Sequence, residues 1–154
     1  MKNIKTIMVA VDFSEYSIHA AEHAARLAKD LKAKLFLTHI YNQRDVDMMQ
    51  EVAVRVPDFS LNEILEEHIH DRKQRLQDLA TKLGQNALDI QTHIQIGVPY
   101  EALLQEIEKK QPDLLVMGVK GRSDVVDMIV GSCAQKMFRR SPIPLLSIRS
   151  NVPK

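Results

Sequence analysis

Short apolar runs alternate with helical patterns along the whole chain, and this alternation limits the folds that the sequence can adopt. Segments with the composition of buried strands are 4–11, 33–41, 88–96, 113–117 and 143–148. Apolar residues recur at helical spacing in 14–31, 60–83, 99–110 and 132–140. The resulting order, βαβαβαβαβ, predicts an α/β fold in which a parallel sheet carries helices on both faces.

The second of these helices has sequence signals at both ends. Ser60 and Glu63 form a capping-box pattern, and Gly84 is placed to end the helix. We interpret residues 42–59, which precede it, as an irregular connection. Their apolar patch, around Met48 and Val52–Val56, could be a flexible lid, a partner contact or a cover for the core.

Length, charge and cysteine content narrow the class of protein. A chain of 154 residues is typical of one domain, which we place at 1–154. The single cysteine, Cys133, fits a reducing compartment, so we expect a cytoplasmic protein. The formal net charge of +1 does not favour nucleic acid. The longest apolar runs, such as Ile7–Val11, are far too short to cross a bilayer, and the N-terminus lacks the pattern of a signal peptide.

The loop after the fourth predicted strand has the features of a phosphate-binding loop. Gly118 and Gly121 let the backbone turn and approach a ligand, and Gly131 and Ser132 open the next helix. Because the start of a helix presents unpaired amides and positive potential, it attracts phosphate. The alternative is that Ser132 and Gln135 form only a capping box, with the glycines as ordinary turns.

Two basic residues of the same loop suit phosphate. Lys120 and Arg122 add positive charge, and the guanidinium of Arg122 is able to bind an oxyanion through two hydrogen bonds. Ligands of parallel sheets bind beyond the carboxyl ends of the strands. We therefore also expect Asp12, Tyr41 and Gly97 near the site.

The spacing Gly118-x2-Gly121-x9-Gly131-Ser132 resembles the nucleotide-binding signature of the universal stress protein family. The matching strand ends are Val9–Ser14, Leu37–Tyr41, Asp113–Ser123 and Ser141–Leu145. The resemblance covers essentially the whole chain. It implies a Rossmann-like, adenine nucleotide alpha hydrolase-like sheet of five strands in the order 3-2-1-4-5. It also implies a stress-response regulator that binds ATP and forms a homodimer, often through the last strand, Ile143–Ile148.

Carried over by position, the resemblance also assigns site residues. Asp12 would face the adenosine, Ile40 would line the adenine pocket, and Met117 would flank the ribose. The complete implied nucleotide-binding set is Val11, Asp12, Ile40, Met117, Gly118, Lys120, Gly121, Arg122, Gly131, Ser132, Cys133 and Ala134.

The loop departs from the family pattern at Asp124 and Asp127. These two carboxylates offset Lys120 and Arg122, which could weaken phosphate affinity. One of them could instead help to hold Mg²⁺ on the phosphates, since hard cations prefer oxygen ligands. We prefer the plainer interpretation, in which both are solvated.

Other functions find less support in the residues. No Walker loop, GxGxxG motif or catalytic set is present, so we expect no enzyme beyond slow ATP hydrolysis. A protein-interaction module of the same fold that binds no nucleotide is the alternative. We interpret His68 and His70 as part of a solvated helix face rather than as metal ligands, because helical positions two apart point to different faces. His39 is interpreted as a core histidine or an edge of the pocket.

Overall fold

The computed structural model describes residues 3–120 and 131–149. These residues form five strands and five helices. In chain order the elements are β1 Thr6–Ala10, α1 Glu15–Leu31, β2 Lys34–Asn42, α2 Gln43–Arg55, α3 Leu61–Leu83, β3 Ile90–Gly97, α4 Pro99–Lys110, β4 Leu114–Gly118, α5 Ser132–Arg140 and β5 Leu145–Ile148.

All strands pair in parallel, in the order β3-β2-β1-β4-β5. Val9 in the central strand pairs with Leu37 on one side and Val116 on the other. The predicted fold class and strand order are therefore confirmed. The order of strands reverses between β1 and β4, where a parallel α/β sheet opens a crevice at its carboxyl edge.

Alternate residues of the strands build a hydrophobic core on each face of the sheet. Ile7 and Val9 pack with the alanine-rich side of α1 and with Leu76 of α3. Met8 lies on the opposite face and packs with Leu103 of α4 and Met137 of α5. The period of two along a strand produces this division.

The prediction of an irregular connection at residues 42–59 was wrong for most of its length. Asn42 ends β2 and caps α2, its side-chain oxygen accepting a hydrogen bond from the Arg44 amide at 3.0 Å. Only Val46 of this helix is buried. Val54 is 88% exposed, and Val52 and Val56 are also exposed, so these valines do not cover the core.

The signals at the ends of α3 were interpreted correctly. The Ser60 hydroxyl accepts a hydrogen bond from the Glu63 amide at 3.4 Å, and Gly84 ends the helix at a φ of 99°. The last strand begins at Leu145, two residues later than predicted. Within the described residues, every helix is too short or too polar to span a bilayer.

Candidate functional site

The turn after β1 holds Asp12 in a fixed position at the carboxyl edge of the sheet. One oxygen of its carboxylate accepts hydrogen bonds from both the amide and the hydroxyl of Ser14, and its own amide donates to the Ser17 hydroxyl at 3.2 Å. The Ser14 hydroxyl also accepts from the Ser17 amide and thereby caps α1. Phe13, between Asp12 and Ser14, has a left-handed φ of 64°. The start of α1 and the orientation of Asp12 are therefore coupled.

Two buried side chains near the end of β2 extend the site toward α3. His39 is 4% exposed, and its Nδ1 lies 2.7 Å from the Val11 carbonyl oxygen. Because a carbonyl only accepts, Nδ1 carries the proton of this bond. The hydroxyl of Tyr41 lies 2.8 Å from Nδ1 of His68. His68 is also half-buried. Its burial and its hydrogen bond correct the interpretation of His68 as part of a solvated helix face.

Gly118, at the end of β4, permits a close approach of β4 to α1. A Cβ at this position would lie 3.1 Å from backbone and Cβ atoms of Tyr16. The glycine prediction at this position concerned turning and ligand approach. The structure gives it a packing role as well, because its missing Cβ lets the first turn of α1 sit beside the site.

The N-cap residue of α5 is a glycine, which provides no side-chain cap. Gly131 is the residue before the helix, with extended backbone, and Ser132 is the first helical residue. The Gln135 amide donates to the Gly131 carbonyl at 3.0 Å. The N-cap is thus Gly131 and not Ser132, so Ser132 does not occupy the position that the alternative capping box with Gln135 requires.

A cavity of about 290 Å³ opens at the carboxyl edge of the sheet, where the strand order reverses. Its size is close to the lower end of the range for small-molecule sites. It is lined by most of the residues that the resemblance implied: Val11, Asp12, Ile40, Met117, Gly118, Lys120, Gly131, Ser132, Cys133 and Ala134. Tyr41, expected here from its place after β2, also lines it, whereas Gly97 does not.

Residues 121–130 of the predicted loop lie outside the described residues, and four of them were singled out in the sequence analysis. Gly121, Arg122, Asp124 and Asp127 lie outside the described residues, so their predicted roles stay predictions. Within 3–120 and 131–149, no group of three or more His, Cys, Asp or Glu residues is arranged to hold a metal ion.

Several residues that the sequence analysis did not assign to the site also line the cavity. The cations are Arg44 of α2, Arg72 of α3 and Lys136 of α5, and the added carboxylate is Asp45. The Lys136 ammonium lies 4.4 Å from the centre of the Tyr100 ring, which is itself part of the cavity wall. Lys136 could have been found, because it stands four residues after Ser132 and so lies on the same helix face.

The described lining carries more positive than negative side chains. Lys120 and Lys136 lie on the β4–α5 side, and Arg44 and Arg72 lie on the α2–α3 side. Arg72 is partly neutralised by Asp71, whose carboxylate lies 2.8 Å from its guanidinium. Helices thus supply positive charge that the loop sequence alone did not reveal.

The model of the universal stress protein family matches residues 3–149. A universal stress protein of Thermus aquaticus is 30% identical over 152 residues, covering 94% of this chain and 98% of the relative. The universal stress protein YxiE of Bacillus subtilis is 28% identical, covering 93% and 97% of the two chains.

Solved structures of similar proteins share the fold. That of MJ0577, from Methanocaldococcus jannaschii, superposes with a TM-score of 0.79 at 20% identity, covering 98% of this chain and 99% of that one. A universal stress protein in complex with cAMP has a TM-score of 0.63 at 26% identity, covering 96% and 98%. An Archaeoglobus fulgidus universal stress protein in complex with dAMP has a TM-score of 0.65 at 17% identity, covering 96% and 99%.

Proposed function

The chain belongs to the universal stress protein family, and we propose that its cavity binds an adenine nucleotide, ATP in particular, so that the nucleotide state regulates a stress response. The observation that carries this proposal is the placement of the implied nucleotide-binding residues around one cavity at the strand-order reversal. Crevices at this position are where parallel α/β sheets bind their ligands.

The start of α5 supports the placement of phosphates. Its first residues, Ser132, Cys133 and Ala134, line the cavity, so the N-terminal end of the helix lies at the cavity wall. Lys120 and Lys136 are on the same side. The positive potential of a helix start and nearby cations together suit a phosphate group.

The lining residues at the ends of β1, β2 and β4 support the placement of the nucleoside. Ile40 and Met117 offer apolar contact, and Asp12 offers a carboxylate that is able to accept hydrogen bonds from ribose hydroxyls or the adenine amino group. That a relative at 26% identity was solved with cAMP supports an adenine nucleotide as the ligand class.

Calorimetric titration tests the proposal with ATP, AMP and cAMP, each with and without Mg²⁺. We expect saturable heat for at least ATP, and mass spectrometry of the purified protein to find an adenine nucleotide if one is retained. If none of these nucleotides produces heat or thermal stabilisation at millimolar concentration, the proposal is wrong. A requirement for Mg²⁺ would support a metal on the phosphates, and phosphate release is expected to be slow at most.

We also propose that the protein is a homodimer that pairs through its last strand. Strand β5 is the edge of the described sheet and Leu146 on it is 40% exposed. Leu146→Arg is expected to convert a dimer into a monomer in light scattering coupled to size exclusion. If the wild-type protein is a monomer, the homodimer proposal is wrong, and the proposal of nucleotide binding is unaffected.

One observation favours the alternative, an interaction module without nucleotide. Helix α2 exposes two apolar side chains to solvent, Met48 to 60% and Val54 to 88%. Exposed apolar side chains that lie close together are typical of protein-binding surfaces. This alternative predicts that the protein purifies without nucleotide and that its oligomeric state does not respond to ATP.

A further inference from the structure

Thr38 presents a buried hydroxyl to which the described part of the protein offers no hydrogen bond. The residue lies in the middle of β2 and is 0% exposed, and its Oγ1 has no hydrogen-bond partner among the described residues. Burial of a hydroxyl without a partner is unfavourable, and native proteins nearly always satisfy such groups with protein, water or ligand. A hydroxyl left in this state therefore indicates a missing partner.

The position of Thr38 shows where that partner would come from. Thr38 lies directly opposite Ala10 in the register of β2 with β1, and both residues line the cavity. The neighbouring lining residues Ile40 and Leu103 belong to the same face of the sheet. Thr38 is thus a polar residue among apolar neighbours in the lining of the cavity.

The strand order separates Thr38 from the phosphate end of the cavity. Strand β2 and strand β4 flank β1 on opposite sides, so they stand about 10 Å apart across the sheet. Helix α5, whose first residues line the cavity, follows β4. A nucleotide whose phosphates lie at the start of α5 would therefore direct its base, rather than its phosphates, toward β2.

We propose that Thr38 is a specificity-determining residue whose hydroxyl forms a hydrogen bond with the edge of the purine base. This inference rests on the proposed function, because it names a contact made by the same ligand. A hydroxyl both donates and accepts, so it is able to pair with the amino group of adenine or with a ring nitrogen. An apolar side chain in its place would recognise the base by packing alone.

Thr38→Val tests the proposal, because valine keeps the shape of threonine and removes only the hydroxyl. Calorimetry is expected to show ATP affinity reduced by about tenfold, the effect of losing a buried hydrogen bond and leaving the base edge unpaired. The thermal midpoint of the nucleotide-free variant should equal or exceed that of the wild type, because an unpaired buried hydroxyl has been removed. A purely structural threonine would instead lower that midpoint and leave the affinity of the folded protein unchanged.

Thr92→Val is the matched control. Thr92 is a strand residue of β3 that pairs with Leu37, so it faces the α1 and α3 side of the sheet and does not line the nucleotide cavity. Its substitution is expected to leave ATP affinity unchanged. If both valine variants weaken binding equally, the effect is not specific to the cavity and the proposal fails.

Base analogues identify the contact. ATP analogues lacking the 6-amino group, N1 or N7 are titrated against the wild type and Thr38→Val. For each analogue, the loss of affinity relative to ATP is compared between the two proteins. The contact is supported if, for one analogue, this loss is at least fivefold larger in the wild type than in Thr38→Val. Equal losses in both proteins for every analogue would overturn it. The proposed function would survive that result, whereas a wild type that binds no adenine nucleotide would refute the proposed function itself.

Discussion

The hydroxyl of Tyr41 and Nδ1 of His68, 2.8 Å apart, join the end of β2 to the first half of α3 beside the candidate cavity. Tyr41 is 4% exposed and lines the cavity, and the two rings are 6.3 Å apart. This bond ties a wall of the candidate site to a helix that otherwise packs on the sheet through Leu76 and Leu79. Tyr41 in the cavity lining is therefore connected to the helix that packs on the core.

Tyr41→Phe is expected to lower the free energy of unfolding by about 1 kcal/mol, since it removes a hydrogen bond from a buried pair. Urea denaturation measures the change. Tyr100→Phe is the control: its hydroxyl donates to the Glu101 carboxylate at 2.9 Å in an exposed place, so we expect a loss below about 0.5 kcal/mol. Equal losses in the two variants would contradict the view that the Tyr41–His68 bond contributes through burial.

Gly118→Ala is expected to affect both stability and nucleotide binding. The added methyl would approach the backbone of Tyr16 to 3.1 Å and displace the start of α1 from β4, which should cost about 1–3 kcal/mol. The same shift would move Asp12, so ATP affinity should fall. Denaturation and calorimetry measure the two effects.

Gly84→Ala separates the two effects. Gly84 has a φ of 99° and open space around its Cα, so alanine there is strained without a clash. We expect a loss of about 1 kcal/mol in stability and unchanged ATP affinity, because Gly84 ends α3 far from the cavity lining. If Gly118→Ala leaves affinity unchanged too, the coupling of α1 to the site is refuted.

The central strands were predictable because they are buried on both faces and so read as apolar runs, as in Ile7–Val9 of β1 and Leu114–Met117 of β4. Helix α2 was not predictable on the same basis. Val46, Met49 and Ala53 do recur at helical spacing, but only Val46 is buried. Exposed apolar residues such as Met48 and Val54 interrupt the pattern by which a helix packed on a core is recognised. The signal that could have revealed its start was Asn42, a good N-cap residue immediately before it.

Lining residues that belong to a local sequence motif could be predicted. Those that reach the cavity only through the packing of helices could not. The residues after β1 and β4 line one cavity, as expected because the carboxyl ends of parallel strands meet at one edge. Arg44 and Arg72 were missed because they reach the cavity from helices whose placement depends on α2 and α3 packing. Thr38 was missed because it lies inside an apolar run, where a threonine reads as an ordinary strand residue.

Ser14→Ala should disturb the site as well as the helix. It removes the cap of α1 and a hydrogen bond to the Asp12 carboxylate, so stability should fall by about 1 kcal/mol and ATP affinity should also fall. Ser60→Ala removes only the cap of α3, made at 3.4 Å in an exposed place. It should lower stability slightly and leave affinity unchanged. Calorimetry and urea denaturation of both variants decide whether Asp12 must be held in place.

Lys136→Gln is expected to weaken ATP binding by about three- to fivefold and to leave adenosine binding unchanged, because we expect its exposed ammonium to attract the phosphates and not the nucleoside. Calorimetry with ATP and adenosine at low salt measures both affinities. The difference between wild type and variant for ATP should shrink as salt is raised, since exposed charges are screened. Lys82→Gln is the control, because Lys82 is an exposed lysine in the last turn of α3, away from the cavity lining. An equal loss for adenosine, or the same loss in the control, would show that Lys136 does not face the phosphates.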